Sequence, residues 1–188
     1  MRRVRVVFIE NEDSFSWNVI DRLPFARGEV AVVAGRGAGP EVLDGADALV
    51  LGPGPTDPVR AGLLDLVHAA ARRRLPTLGV CLGHQAIGLA FGARLVRTPP
   101  AHGKRTTVTF AASRFFPAFR GPQQVMRYHS LALVDVAPPL AVVATTADGI
   151  PMCVEHQELP VAGLQFHPDS FATPRGAEML ASFFQAAR

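Results

Sequence analysis

Through the first half of the chain, short apolar runs alternate with longer stretches in which apolar residues recur every three or four positions. The runs Val4–Ile9, Glu29–Val33, Ala48–Leu51 and Thr77–Val80 have strand length and few polar interruptions, the pattern of strands buried on both faces. Between them the spacing predicts helices over Ser14–Leu23, Val59–Arg74 and Leu82–Phe91. The second of these sets Leu63, Leu64, Val67 and Ala71 on one face. Such alternation predicts an α/β fold: an open, mainly parallel central sheet with helices on both faces.

The second half changes character. Arg94–Arg97, Arg105–Phe110, Gln124–Arg127, Leu131–Val136, Ala141–Thr146, Met152–Glu155 and Val161–Phe166 read as strands, several joined by Gly, Pro or Asp turns. An antiparallel extension of the central sheet accommodates them. A final helix is expected over Pro174–Ala187, with Pro at its start and Met179, Leu180, Phe183 and Phe184 turned inward. No repeat or linker interrupts the pattern, so residues 1–188 are expected to form a single domain.

Composition narrows this little further. Apolar residues make up 48% of the 188 positions and charged residues 19%, a balance suited to a folded globule. No apolar run approaches the ~20 residues that span a bilayer. The opening Met1–Ile9 meets Glu10, Glu12 and Asp13 too soon to form the apolar segment of a signal peptide, so a first strand and a cytoplasmic location are expected. The net charge is +3, and Lys104 is the sole lysine. The cluster Arg72-Arg73-Arg74 falls where a helix should end, where positive charge complements the dipole; it reads as a solvated turn, not a nucleic-acid patch.

Two cysteines do not make a disulfide framework. Cys153 lies in a predicted strand and is expected to be a buried, inert thiol. Cys81 lies in Gly79-Val80-Cys81-Leu82-Gly83, between a strand and a helix. This G-x-C-x-G pattern is the cysteine form of a nucleophile elbow, whose small flanking residues let the backbone double back. The pattern also suits a buried cysteine in a glycine turn. A free thiol is mostly protonated at neutral pH, and a helix N-terminus stabilises its anion. The Leu82 N–H, at the start of that helix, can point toward an oxyanion forming on a substrate.

A base with an orienting acid decides between those readings. In Gly163-Leu164-Gln165-Phe166-His167-Pro168-Asp169-Ser170, His167 emerges at a strand end, and Pro168 biases it toward extended geometry. Side chains two apart then project to one side, so the Asp169 carboxylate can reach the ring. After the strand Ala48–Leu51 comes Gly52-Pro53-Gly54-Pro55, either a plain tight turn or a loop whose Gly54 N–H is a second oxyanion donor.

Taken in order, these segments resemble the class I glutamine amidotransferases, a flavodoxin-like fold. The resemblance is nearest to the glutaminase subunits of anthranilate synthase and aminodeoxychorismate synthase. It runs nearly the whole chain: Glu10-Asn11-Glu12-Asp13-Ser14-Phe15, the Gly52–Pro55 loop, the Cys81 elbow with His84-Gln85, His102-Gly103-Lys104, Arg127-Tyr128-His129-Ser130-Leu131, and Gly163–Ser170 with Thr173 and Gly176. The resemblance implies Cys81 as nucleophile, His167 as acid and base, Asp169 as third member, and Gly54 and Leu82 as oxyanion donors. It implies a glutamine site formed by Gly52, Pro53 and Gly54 with Gln85, Ser130 and Leu131. It calls for no metal or organic cofactor. The partner it implies is a chorismate-using synthase subunit in trans, supplied with ammonia for the tryptophan or folate pathway; the alternatives are an amidotransferase of GMP or carbamoyl phosphate synthesis, against which Asp13-Ser14-Phe15 weighs, and a partner-binding homologue that has lost turnover through Asp169. His84 and His129 read as scaffold, while His102 and Lys104 carry no assigned chemistry. The family's usual Glu is Asp169 here, its usual Asp is Glu10, and Ala34–Pro40 is glycine-rich where R-N-D-like residues are common.

Overall fold

A computed structural model describes residues 4–187, apart from the side chain of His102. The readings placed on Met1–Arg3 and on that side chain lie outside the described residues. Strands β1 (Val6–Glu10), β2 (Val30–Ala34), β3 (Ala48–Leu51) and β4 (Thr77–Val80) run parallel in the order β2-β1-β3-β4. Strand β9 (Val161–Leu164) continues this parallel set beside β4. Four antiparallel strands then extend the sheet as β8 (Pro151–His156), β7 (Leu140–Thr146), β5 (Arg94–Phe110) and β6 (Gly121–Val134).

Apolar side chains leave the parallel strands alternately to two layers, as a period of two requires. Val6, Phe8, Ala48, Val50, Leu78 and Val80 meet α1 (Ser16–Arg22) and α4 (Gly176–Ala186) through Val19, Ile20, Leu180 and Phe183. Val7, Ile9, Leu49 and Leu51 meet α2 (Leu63–Arg72) and α3 (Leu82–Ala90) through Leu63, Leu66, Val67 and Ile87. The expected α/β fold, parallel core and antiparallel extension are all present.

Several boundaries differ from the sequence reading. The helix expected over Val59–Arg74 begins only at Leu63, because Gly62 holds φ at 70°, outside helical geometry. Its buried face is Leu63, Leu66, Val67, Ala69 and Ala70; Leu64 and Ala71 are only half-buried. The pieces Arg94–Arg97 and Arg105–Phe110 belong to one strand, β5, paired continuously with β6 except for irregularities between Arg97 and Ala101 and between His102 and Lys104. The last strand stops at Leu164, not Phe166, and His167 instead makes a single bridge with Met126. The arginine cluster is exposed, with Arg73 2.9 Å from Asp44. Among the described residues, no helix is long and apolar enough to cross a membrane.

Strand order positions the site. The chain passes from β1 to β2 on one side and then to β3 on the other, so loops at the carboxyl ends of these strands open a crevice. Glu10, Leu51, Val80 and Leu164 end four of these parallel strands on that edge. In the β4–β9 pair Val80 stands opposite Leu164, and the Cys81 N–H donates to the Leu164 carbonyl at 2.8 Å. Register alone therefore brings the segment after Val80 beside the segment after Leu164.

Candidate active site

Cys81 sits at the turn between β4 and α3 with φ 51° and ψ −98°, a positive-φ conformation outside the usual regions that costs a non-glycine residue about 1–3 kcal/mol. The two glycines of the motif explain why the turn closes. A Cβ on Gly79 would strike the Gly83 backbone, and one on Gly83 would strike the Leu51 carbonyl. The first turn of α3 thus lies directly against β4 and β3, which leaves Cys81 at the crevice floor, 8% exposed.

His167 and Asp169 come to the same crevice. Their side chains are almost wholly buried, with His167 Nδ1 3.2 Å from Asp169 Oδ1. The shorter acid therefore reaches the ring in this chain. Burial by itself would lower the His167 pKa. Hydrogen bonds to Asp169 and to the Cys81 sulfur, with the charge of both groups, overcome it and raise the pKa to about 10. These influences favour the protonated ring, set between the carboxylate and the Cys81 sulfur. Phe15 and Tyr128 flank it edge-on, with centroids 5.5 Å and 5.0 Å away.

A cavity of about 370 Å³ opens over these groups, lined by Gly54, Cys81, Gln85, Ser130, Leu131 and His167 among others. Gly54 packs on the start of α3: a Cβ there would stand 2.6 Å from Leu82 Cδ2. Leu82, first residue of α3, has its N–H outside the helix's own hydrogen-bond ladder. Gly52 lies deeper, its carbonyl accepting from Asn11 Nδ2 at 3.1 Å. Cys81, His167, Gly54, Gln85, Ser130 and Leu131 line the cavity; Asp169 adjoins it through His167 and Leu82 through Cys81, while Gly52 and Pro53 are buried and do not line it.

Residues that the sequence reading passed over hold this arrangement. Asn11 braces the Gly52–Gly54 loop, and the Glu10 carboxylate accepts from Asp13 N–H at 2.9 Å and Ser16 Oγ at 3.1 Å, ordering the turn that presents Phe15. Gln165 and Thr173 are buried at the site. Asn11, Gln165 and Thr173 stand in the motifs that carry the resemblance, but nothing in the sequence gave them a role, because their partners lie on other elements. His84 packs its Nδ1 against Gly163, and burial lowers its pKa to about 4, so it is a neutral scaffold residue. His129 uses both ring nitrogens, toward Arg127 and the Leu131 carbonyl. Cys153 is fully buried, and burial, then the charge of Glu155, pushes its thiol well up. Lys104 is exposed on β5.

The family model for glutamine amidotransferase class-I matches residues 7–187. The chain belongs to the class I glutamine amidotransferases. Among proteins of known assignment, this amidotransferase is 38% identical to anthranilate synthase component 2 of Azospirillum brasilense, over 97% of this chain and 96% of the relative. It is 40% identical to an aminodeoxychorismate synthase of Streptomyces griseus over 96% of this chain, but spans only 26% of that relative's length. The solved structure of a glutamine amidotransferase from Thermotoga maritima superposes with a TM-score of 0.72 at 15% identity, covering 100% of this chain and 97% of the other. That likeness speaks to the fold alone.

Proposed function

We propose that residues 1–188 act as one glutaminase domain that hydrolyses glutamine through a Cys81 thioester and passes ammonia to a chorismate-using synthase subunit in trans. The observation that carries the reading is the geometry of one cavity: Cys81 at the strand-to-helix turn and the buried His167 ring both line it, with His167 Nδ1 3.2 Å from Asp169 Oδ1. Two relatives matched across nearly all of this chain, an anthranilate synthase component 2 and an aminodeoxychorismate synthase, support the choice of partner.

Glutamine enters the cavity with its amino-acid end toward Gln85 and the Ser130–Leu131 backbone. The Cys81 thiolate attacks the side-chain amide carbon, and the carbonyl oxygen becomes an oxyanion facing the Gly54 and Leu82 N–H groups. Each such donor lowers the barrier by about 3 kcal/mol. The imidazolium of His167 gives its proton to the amide nitrogen as the C–N bond breaks, and ammonia leaves. His167, now neutral, takes a proton from water, and the resulting hydroxide attacks the thioester. The C–S bond breaks, glutamate departs and the thiolate returns. Asp169 keeps the imidazole oriented and its positive form stable.

Ammonia in water is mostly protonated and a poor nucleophile, so its delivery calls for a docked acceptor. The test is labelling with a diazoketone analogue of glutamine, read by intact-protein mass, beside ammonia assays with and without a chorismate-using synthase subunit. One adduct on Cys81, none in Cys81→Ala, and ammonia release that rises with the synthase are expected. Labelling that survives Cys81→Ala refutes the nucleophile. Full ammonia release from the isolated chain, with no binding to the synthase, refutes the partner.

A further inference from the structure

Gln165 is fully buried beside the nucleophile, yet no step of the hydrolysis uses it. Its hydrogen bonds show which way its amide is turned. Gln85 Nε2 lies 3.4 Å from the Leu131 carbonyl, which can only accept. The same Nε2 donates to Gln165 Oε1 at 3.2 Å. The Gln165 Nε2 is therefore on the opposite side, where its N–H donates to Cys81 Sγ at 3.7 Å. The Leu131 carbonyl is itself set by a 2.8 Å bond from His129 Nδ1, whose Nε2 accepts from Arg127 Nε at 3.1 Å. One backbone carbonyl thus fixes the polarity of a buried chain of amides that ends on sulfur.

We infer that Gln165 is a positioning residue for the nucleophile, donating to the Cys81 thiolate and holding the sulfur in register with Gln85. This rests on the reading of Cys81 as nucleophile and of Gln85 as a contact of glutamine. A hydrogen bond to an anion is stronger than one between neutral groups, and a donor that is itself fully buried reaches the sulfur from the side away from the cavity's opening. An amide has a further advantage: it takes no part in the proton transfers between sulfur, imidazole and substrate. A carboxylate at this position would repel the thiolate, and an apolar side chain would leave the sulfur to His167 alone and Gln85 with only the longer contact to the Leu131 carbonyl. The same residue links the two halves of the cavity, since Gln85 stands on α3 and Gln165 follows β9.

The experiment measures iodoacetamide alkylation of Cys81 between pH 5 and 9, with KM and kcat for glutamine, in the full chain bound to its synthase. Gln165→Met removes donor and acceptor at similar volume. Gln165→Glu keeps an oxygen for Gln85 and removes the donor. Alkylation at pH 7 should slow by about tenfold or more in both, the size expected for a hydrogen bond to a charged acceptor, with the pH profile displaced upward. KM should rise in Gln165→Met and stay near native in Gln165→Glu. A folded variant with the native alkylation profile overturns the inference, because a residue that merely fills space would not move it. Should either variant fail to fold, the side-chain amide signal of Gln165 in the unaltered protein serves instead. It should move with pH in step with alkylation, and a signal indifferent to pH overturns the inference as well. If the unaltered Cys81 reacts no faster than free cysteine and no ammonia appears, the underlying reading has failed; native reactivity shared by the variants sinks the role of Gln165 alone.

Discussion

The Thr173 hydroxyl donates a 2.7 Å hydrogen bond to the His167 carbonyl and accepts one of 3.0 Å from the Met126 N–H. His167 N–H in turn donates to the Met126 carbonyl at 2.9 Å. A single buried side chain thereby ties the segment carrying the imidazole to β6, the strand that also supplies Tyr128 and Leu131 to the cavity.

Replacing Thr173 by Val keeps the branched shape and deletes the hydroxyl. The buried Met126 N–H is then left without its partner, so stability should fall by about 1–3 kcal/mol. Urea denaturation midpoints check the loss. Glutaminase kcat should fall more than KM rises, because the looser element carries His167 and not the substrate contacts.

Asp169→Asn leaves the shape at the ring and removes the charge that stabilises the imidazolium. A drop in kcat of about a hundredfold or more is expected, the range of acid–base contributions. Asp169→Glu restores the charge but adds a methylene to a buried position, costing about 1–3 kcal/mol of stability while retaining turnover. Steady-state ammonia release and thermal melts separate charge from fit.

The raised pKa of His167 makes stability depend on pH in one direction. Its folded value of about 10 lies above the ordinary value of 6.5 for the free side chain. The group therefore stabilises the fold fully below about pH 6.5, and the contribution is lost as pH rises through about 10. Melting temperatures of the native chain should fall across that window. In Asp169→Asn the first of the raising influences is gone, and the fall should be shallower; equal slopes in the two proteins would contradict the assignment.

Gly83→Ala tests the elbow without touching any reacting group. Its Cβ would meet the Leu51 carbonyl, a backbone atom that cannot rotate away. Overpacking of this kind costs about 1–3 kcal/mol and should displace α3, so labelling of Cys81 by the diazoketone should slow together with the loss of stability. Gly45→Ala, where a Cβ meets open space at φ 70°, should cost only backbone strain and leave labelling at the native rate.

Much of this protein could be read directly from its residues. Strands buried on both faces must be continuously apolar, which made β1, β3 and β4 visible, and a helix that packs against a sheet must repeat every three to four residues. Gly79 and Gly83 flag the turn at Cys81 because a side chain at either would collide. His167 and Asp169 were legible as a pair from their closeness in sequence, although they meet across a turn, with Ser170 N–H donating to the His167 carbonyl at 3.4 Å, and not along the extended segment expected.

Other features depend on which strand lies beside which. β5 was read as two pieces because Pro99, Pro100 and Gly103 break its local pattern, while its pairing with β6 carries on past them. The early end of β9, the bridge to Met126, and the roles of Asn11, Thr173 and Gln165 were hidden for the same reason. Apolar periodicity is written within a few residues, whereas a hydrogen bond between Gln165 and Cys81 exists only because Val80 pairs with Leu164 and not with a neighbour. The residues by themselves determined the layers and the elbow and pointed to Cys81, His167 and Asp169; strand register decided how those groups meet and what holds them there.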